Sequence, residues 1–107
     1  MDCRDFVRPH GFYVRYYDDT LEYKVHNVIP YKTSNPYHLV YRAMGSPDRV
    51  NVWLMSDEIV AQLDTQGHSR YMHFSKDYTA QQIVCAALSQ QGRLVVADSD
   101  SLQPGLF

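Results

Sequence analysis

The sequence predicts an α+β fold: an antiparallel sheet of two N-terminal hairpins plus short C-terminal strands, with two helices packed on one face. Three observations predict it. The first half alternates with strand period between turn residues, and the second half changes twice to helical period. The chain is also rich in aromatics, with nine Tyr, four Phe and one Trp, and such residues favour strands. Strands followed by helices in this segregated order imply one sheet with the helices on one side.

The elements follow in order. Phe12 to Tyr17 alternates as a first strand, and Asp18-Asp19-Thr20 is a polar turn. Leu21 to Ile29 alternates again, completing a hairpin, and Pro30 is expected to end that strand because proline cannot donate to a ladder. Lys32-Thr33-Ser34-Asn35-Pro36 reads as a loop. Tyr37 to Ala43 and Val50 to Met55 form a second hairpin around Gly45-Ser46-Pro47-Asp48. Ser56 is placed to cap a first helix, with Asp57 and Glu58 in its first turn, Ile59, Val60 and Leu63 as its stripe and Gly67 as its end. Arg70 to Ser75 reads as a short strand. Thr79 with Gln82 makes a capping box for a second helix, whose stripe is Ile83, Val84, Ala87 and Leu88 and which Gly92 stops. Arg93 to Ala97 is a last short strand. Residues 1–97 are thus expected to form one domain, and 98–107, polar and interrupted by Pro and Gly, a mobile tail that could dock through Leu106 and Phe107.

Composition narrows the function classes. A net charge of −2 argues against a generic polyanion binder. Residues 1–55 carry seven Lys/Arg against six Asp/Glu, whereas 56–107 carry three against six, so the basic share travels with the Tyr-rich half. Cys3 and Cys85 form no disulfide framework; two separate thiols in a reducing compartment, or a single disulfide, both fit the sequence. The N-terminal residues lack an apolar leader, and no apolar run reaches membrane-spanning length, so a soluble cytoplasmic protein is expected.

Catalytic and metal chemistry find little footing. His68 and His73 lack a Cys or carboxylate at matching spacing, and His26 and His38, even as cross-strand neighbours, lack a third ligand. Tyr17-Asp18-Asp19 resembles the metal-holding hairpin of some polymerases in outline alone. The chain is too short for that fold, and an Asp-rich turn accounts for the residues. No G-x-S-x-G, P-loop or G-x-G-x-x-G is present, and Cys85 on a buried stripe would be inert. No enzyme, cofactor or metal is therefore expected. The RNA-recognition order β-α-β-β-α-β and its aromatic motif are also missing.

Alternation then assigns side chains to faces. Phe12, Val14, Tyr16, Leu21, Tyr23, Val25, Ile29, Tyr37, Leu39, Tyr41, Val50, Val52 and Leu54 are expected to form the core face. Tyr13, Arg15, Tyr17, Lys24, His26, His38, Arg42 and Trp53 are expected on the uncovered face, and Tyr, Trp and Arg are the residues that dominate binding hot spots. The expected function is a non-enzymatic protein-binding module using that face. A compact domain of this size suits an inhibitor or accessory protein of a phage or mobile element. A single-stranded nucleic-acid binder stacking bases on the same face is the alternative, and the face or an edge strand would equally support a homodimer.

Overall fold

The computed structural model describes residues 11–65 and 68–98. Seven strands form one antiparallel sheet: β1 (Phe12–Tyr17), β2 (Tyr23–Lys32), β3 (His38–Ala43), β4 (Arg49–Leu54), β5 (Ile59–Thr65), β6 (His68–Phe74) and β7 (Val95–Ala97). Their order across the sheet is β6-β5-β4-β3-β2-β1-β7, so six strands run as a meander and the last returns to the far edge beside β1. One helix, α1 (Ala80–Leu88), continues into a 3₁₀ turn over Ser89–Gln91.

The position of α1 shows that the sheet is curled. The helix packs against β7 and also against β5 and β4. β7 and β5 are five strand spacings apart in the sheet order, which in a flat sheet would separate them by about 24 Å. A helix only about 10 Å across cannot touch both unless the sheet wraps around it. The fold is therefore an open half-barrel with one helix in its concavity. Ile83, Val84, Ala87 and Leu88 of α1 join the inward residues of β1, β3, β4 and β5 in a single core.

This architecture corrects the expected one at its first helix. Ile59 to Thr65 is a strand, paired on one side with β4 and on the other with β6. Ile59, Ala61 and Leu63 are buried, while Val60, Gln62 and Asp64 are half-buried on the opposite side. Ile59 and Leu63 lie four apart, a spacing that places two residues on one face in either helix or strand. Two flanking ladders and the β-branched Ile59 and Val60 decide for the strand. The Gly67 proposed as that helix's end lies outside the described residues, as do Cys3 and the tail from Ser99 onward.

A second correction concerns Pro30, which lies inside β2 and pairs with Tyr41. β1 pairs with β2 no further than Val28, so at Pro30 the strand serves one ladder and its missing N–H is tolerated. At the other end of β1, Gly11 passes so close to β2 that an added Cβ would lie 2.6 Å from the Val28 carbonyl oxygen.

The C-terminal helix forms as the sequence predicts. Thr79 Oγ1 accepts from the Gln82 amide at 3.2 Å, and Gln82 Oε1 accepts from the Thr79 amide at 2.9 Å. Ser89 then fastens the helix end to β7, donating to the Cys85 carbonyl and accepting from the Val95 amide. Gly92 has φ of 91°, a left-handed conformation that glycine adopts without strain, and it turns the chain into β7.

Cys85 is half-buried against the core, and burial pushes its thiol up to about 11. The thiolate is the reactive form. Alkylation of native Cys85 at pH 8 is therefore expected to run on the order of 100-fold slower than in the urea-unfolded chain. Mass spectrometry of iodoacetamide-treated protein checks this; equal labelling of the two states would contradict the burial.

Candidate functional site

The hairpin turn between β1 and β2 decides which side chains face outward. Tyr17 pairs with Tyr23, so five residues form the turn, and Tyr16 comes opposite Lys24 while Val14 comes opposite His26. Asp18 organises that turn. Its Oδ1 accepts from the Thr20 amide at 2.8 Å, the Thr20 hydroxyl at 2.7 Å and the Glu22 amide at 3.1 Å. The Thr20 bonds, more than the Glu22 one, hold its carboxyl below the usual aspartate value. Leu21 completes the reversal with φ of 68°.

This register changes the phase of β2 relative to the sequence expectation. Lys24 and His26 face inward with Tyr16 and Val14, whereas Tyr23 and Val25, expected in the core, are 48% and 46% exposed. Leu21 and Tyr37 are likewise exposed. The expected three-residue turn and the observed five-residue one alike put Tyr17 and Tyr23 on the same face, because side chains alternate with period two. The expectation of Leu21, Tyr23 and Val25 in the core followed their apolar character and not the pairing across the turn.

Six of the eight expected binding residues do share the outer face: Tyr13, Arg15, Tyr17, His38, Arg42 and Trp53. Tyr23, Tyr31 and Tyr71 join them, which the face assignment from sequence missed. Tyr23 belongs to an alternating series whose apolar character suits a core, and Tyr31 follows Pro30, where the strand was expected to end. Tyr71 stood on a strand with no recognised neighbour, because β5 was read as a helix. The result is an aromatic belt on the convex side. Tyr17 lies 5.2 Å from Tyr23, ring centre to ring centre, and Trp53 stacks on His38 at 4.8 Å and approaches Tyr71 at 6.0 Å. A polar row runs beneath the Trp53 end: His38 Nε2 donates to Asn51 Oδ1 at 2.9 Å, and Asn51 Nδ2 donates to Gln62 Oε1 at 3.4 Å. These bonds fix the His38 ring against Trp53.

The cations of this face are largely engaged within the molecule. Arg15 pairs with Asp98 at 3.0 Å, ties β1 to the end of β7 and lies over the Tyr23 ring. Arg49 pairs with Asp64 at 3.4 Å. Arg42 lies over Tyr31, 5.6 Å from its ring centre, and keeps its hydrogen-bond donors toward solvent.

The inner side holds the other polar constellation. Asp48, 5% exposed, accepts from the Tyr16 hydroxyl and from Gln91 Nε2, both at 2.8 Å. Burial first, and the bond to Asp48 second, push the Tyr16 phenol well above its usual value. Among the described residues no three His, Cys, Asp or Glu side chains gather closely enough to hold a metal ion, and no helix is long and apolar enough to cross a membrane.

Fold and surface together define an open antiparallel half-barrel, plugged by one helix and presenting an aromatic convex face. Compared with protein-family models, curated proteins and solved structures, the chain finds no match.

Proposed function

We propose that the chain is a non-enzymatic protein-binding module whose convex aromatic face docks into a recess on a partner protein. The observation that carries this reading is the belt itself: Tyr13, Tyr23, Tyr31 and Tyr71 are each at least 40% exposed on one side of the sheet, and the helix lies on the other. Aromatic side chains cover large area at low entropic cost and supply most interface hot spots. Arg42 offers the partner a guanidinium for a carboxylate, and Trp53, pre-stacked on His38, offers a rigid anchor.

The charge pattern favours a protein over single-stranded nucleic acid. Bases could stack on such a belt, but affinity for a phosphate backbone grows with the number of cations that meet it. Two of the face's three arginines, Arg15 and Arg49, already pair with carboxylates.

Retention of a discrete protein by the immobilised chain from native lysate, before and after nuclease, tests the proposal together with face variants. Tyr23→Ala and Tyr71→Ala are expected to reduce retention at least 10-fold, as loss of a roughly 2 kcal/mol hot spot implies. Both side chains are about half exposed, so the melting temperature should hold. Retention that survives both substitutions would sink the proposal, and retention lost to nuclease would transfer it to nucleic acid.

A further inference from the structure

The concave side of the sheet carries a second polar surface, independent of the aromatic belt. Helix α1 packs on β7, β5 and β4, which leaves the inward side chains at the start of β2 uncovered. There the sheet, the β1–β2 turn and the chain after the 3₁₀ turn enclose a cleft of about 530 Å³. Lys24, His26 and Arg93 all line it, around the ring of Tyr16.

These three groups are arranged as donors awaiting an acceptor. The guanidinium of Arg93 lies over the Tyr16 ring, 5.4 Å from its centre, and makes no hydrogen bond or ion pair among the described residues. Cation–π contact thus orients Arg93 without consuming any of its five N–H donors. The His26 ring lies 4.6 Å from the same Tyr16 ring, and its Nδ1 is 2.9 Å from the Met44 carbonyl oxygen. A carbonyl can only accept, so Nδ1 carries the proton and Nε2 is the atom left for a ligand, as acceptor when the ring is neutral and as donor when it is charged. Lys24 stands opposite Tyr16 in the ladder. It lies near enough to Asp18 to favour that carboxylate, yet makes no ion pair among the described residues.

The carboxylates nearby divide into two kinds. Asp18 is spent on its turn and Asp48 on Tyr16 and Gln91. Asp19 and Glu22 line the cleft from the exposed turn, placed to accept hydrogen bonds from hydroxyl groups. Basic groups from β2 and from the chain after the 3₁₀ turn, facing carboxylates of the β1–β2 turn across the cleft, match a ligand that is anionic at one end and hydroxylated at the other. Three basic groups approaching from two chain segments suit a tetrahedral dianion, and the cleft has room for an attached body, small-molecule sites being about 300–1,000 Å³.

We infer that this cleft is a binding site for a phosphate monoester carrying a hydroxylated body, such as a sugar phosphate, with Arg93, Lys24 and His26 on the phosphate and Asp19 and Glu22 on the hydroxyls.

Titration of the ¹⁵N-labelled chain with inorganic phosphate and with ribose 5-phosphate, at fixed pH and ionic strength, tests it. Saturable shifts are expected at the amides of Lys24, His26, Gly92 and Arg93, with ribose 5-phosphate the tighter ligand. Arg93→Gln and Lys24→Gln should each weaken both ligands at least 10-fold, whereas Arg49→Gln, on the opposite face, should leave them unchanged. Glu22→Gln should remove the advantage of ribose 5-phosphate and spare inorganic phosphate. Shifts that fail to saturate, or that persist unaltered in Arg93→Gln, would overturn the site. Saturable binding with equal affinity for the two ligands would overturn the hydroxyl assignment to the turn carboxylates.

Discussion

Replacement of Asp48 by alanine is expected to lower the unfolding free energy by about 3 kcal/mol, since two hydrogen bonds to a buried carboxylate are lost and each is worth roughly 1.5–3 kcal/mol. The Tyr16 hydroxyl would be left buried without its acceptor, and Gln91 would release the 3₁₀ turn from the β3–β4 turn. Urea melts should show a lower midpoint at unchanged slope. A change under about 1 kcal/mol would mean that the network holds nothing together. Asp48→Asn, which keeps an acceptor oxygen, should cost less. The same network predicts an alkaline limit. Tyr16 binds its proton more tightly folded than unfolded, so its contribution is complete below the ordinary tyrosine value of about 10 and is lost as pH rises above it. Tyr16→Phe should flatten the alkaline fall in stability above that value.

The second large effect is expected at Ile83. This side chain is fully buried, on the helix that fills the concavity, and it belongs to the core that joins α1 to the sheet. Ile83→Ala removes three carbons at a site enclosed by fixed strands, at a cost of about 3–4 kcal/mol in lost transfer energy and cavity. With stability of about 5–15 kcal/mol for a domain, that is a large fraction, and the melting temperature should fall by roughly 15 °C. Calorimetry decides the matter, and a fall of only a few degrees would mean that the sheet holds its curl without the helix. Cys85→Ala, at a half-buried neighbour on the same helix, should be much milder.

What could be read from sequence depended on whether a local signal had competition. Helix α1 was legible because the capping box, the buried stripe and Gly92 agree. β1, β3 and β4 were legible because their alternation stands between clear turns. β5 was not, because Ile59 and Leu63 satisfy both periods and only the ladders on either side choose between them. Without β5 the sheet lost its sixth-strand hairpin, and with it the curl and the place of Tyr71. Most of the outer face was read correctly from β1, β3 and β4. Its β2 portion was exchanged with the inner one because the alternating series Leu21, Tyr23, Val25 has the apolar character of a core stripe, whereas an odd-numbered turn after Tyr17 places that series on the outer face with Tyr13, Arg15 and Tyr17. The long-range contacts were the least accessible. Tyr16, Asp48 and Gln91 are far apart in the chain, and nothing in the spacing of three common residues marks them as partners.

The strand order also sets a timetable for synthesis. Six strands that can pair as successive neighbours leave the ribosome before the helix that covers their apolar side, and β7, which borders β1, comes later still. At about 5–20 residues per second, the growing chain spends seconds as an uncapped apolar trough with β1 as an open edge.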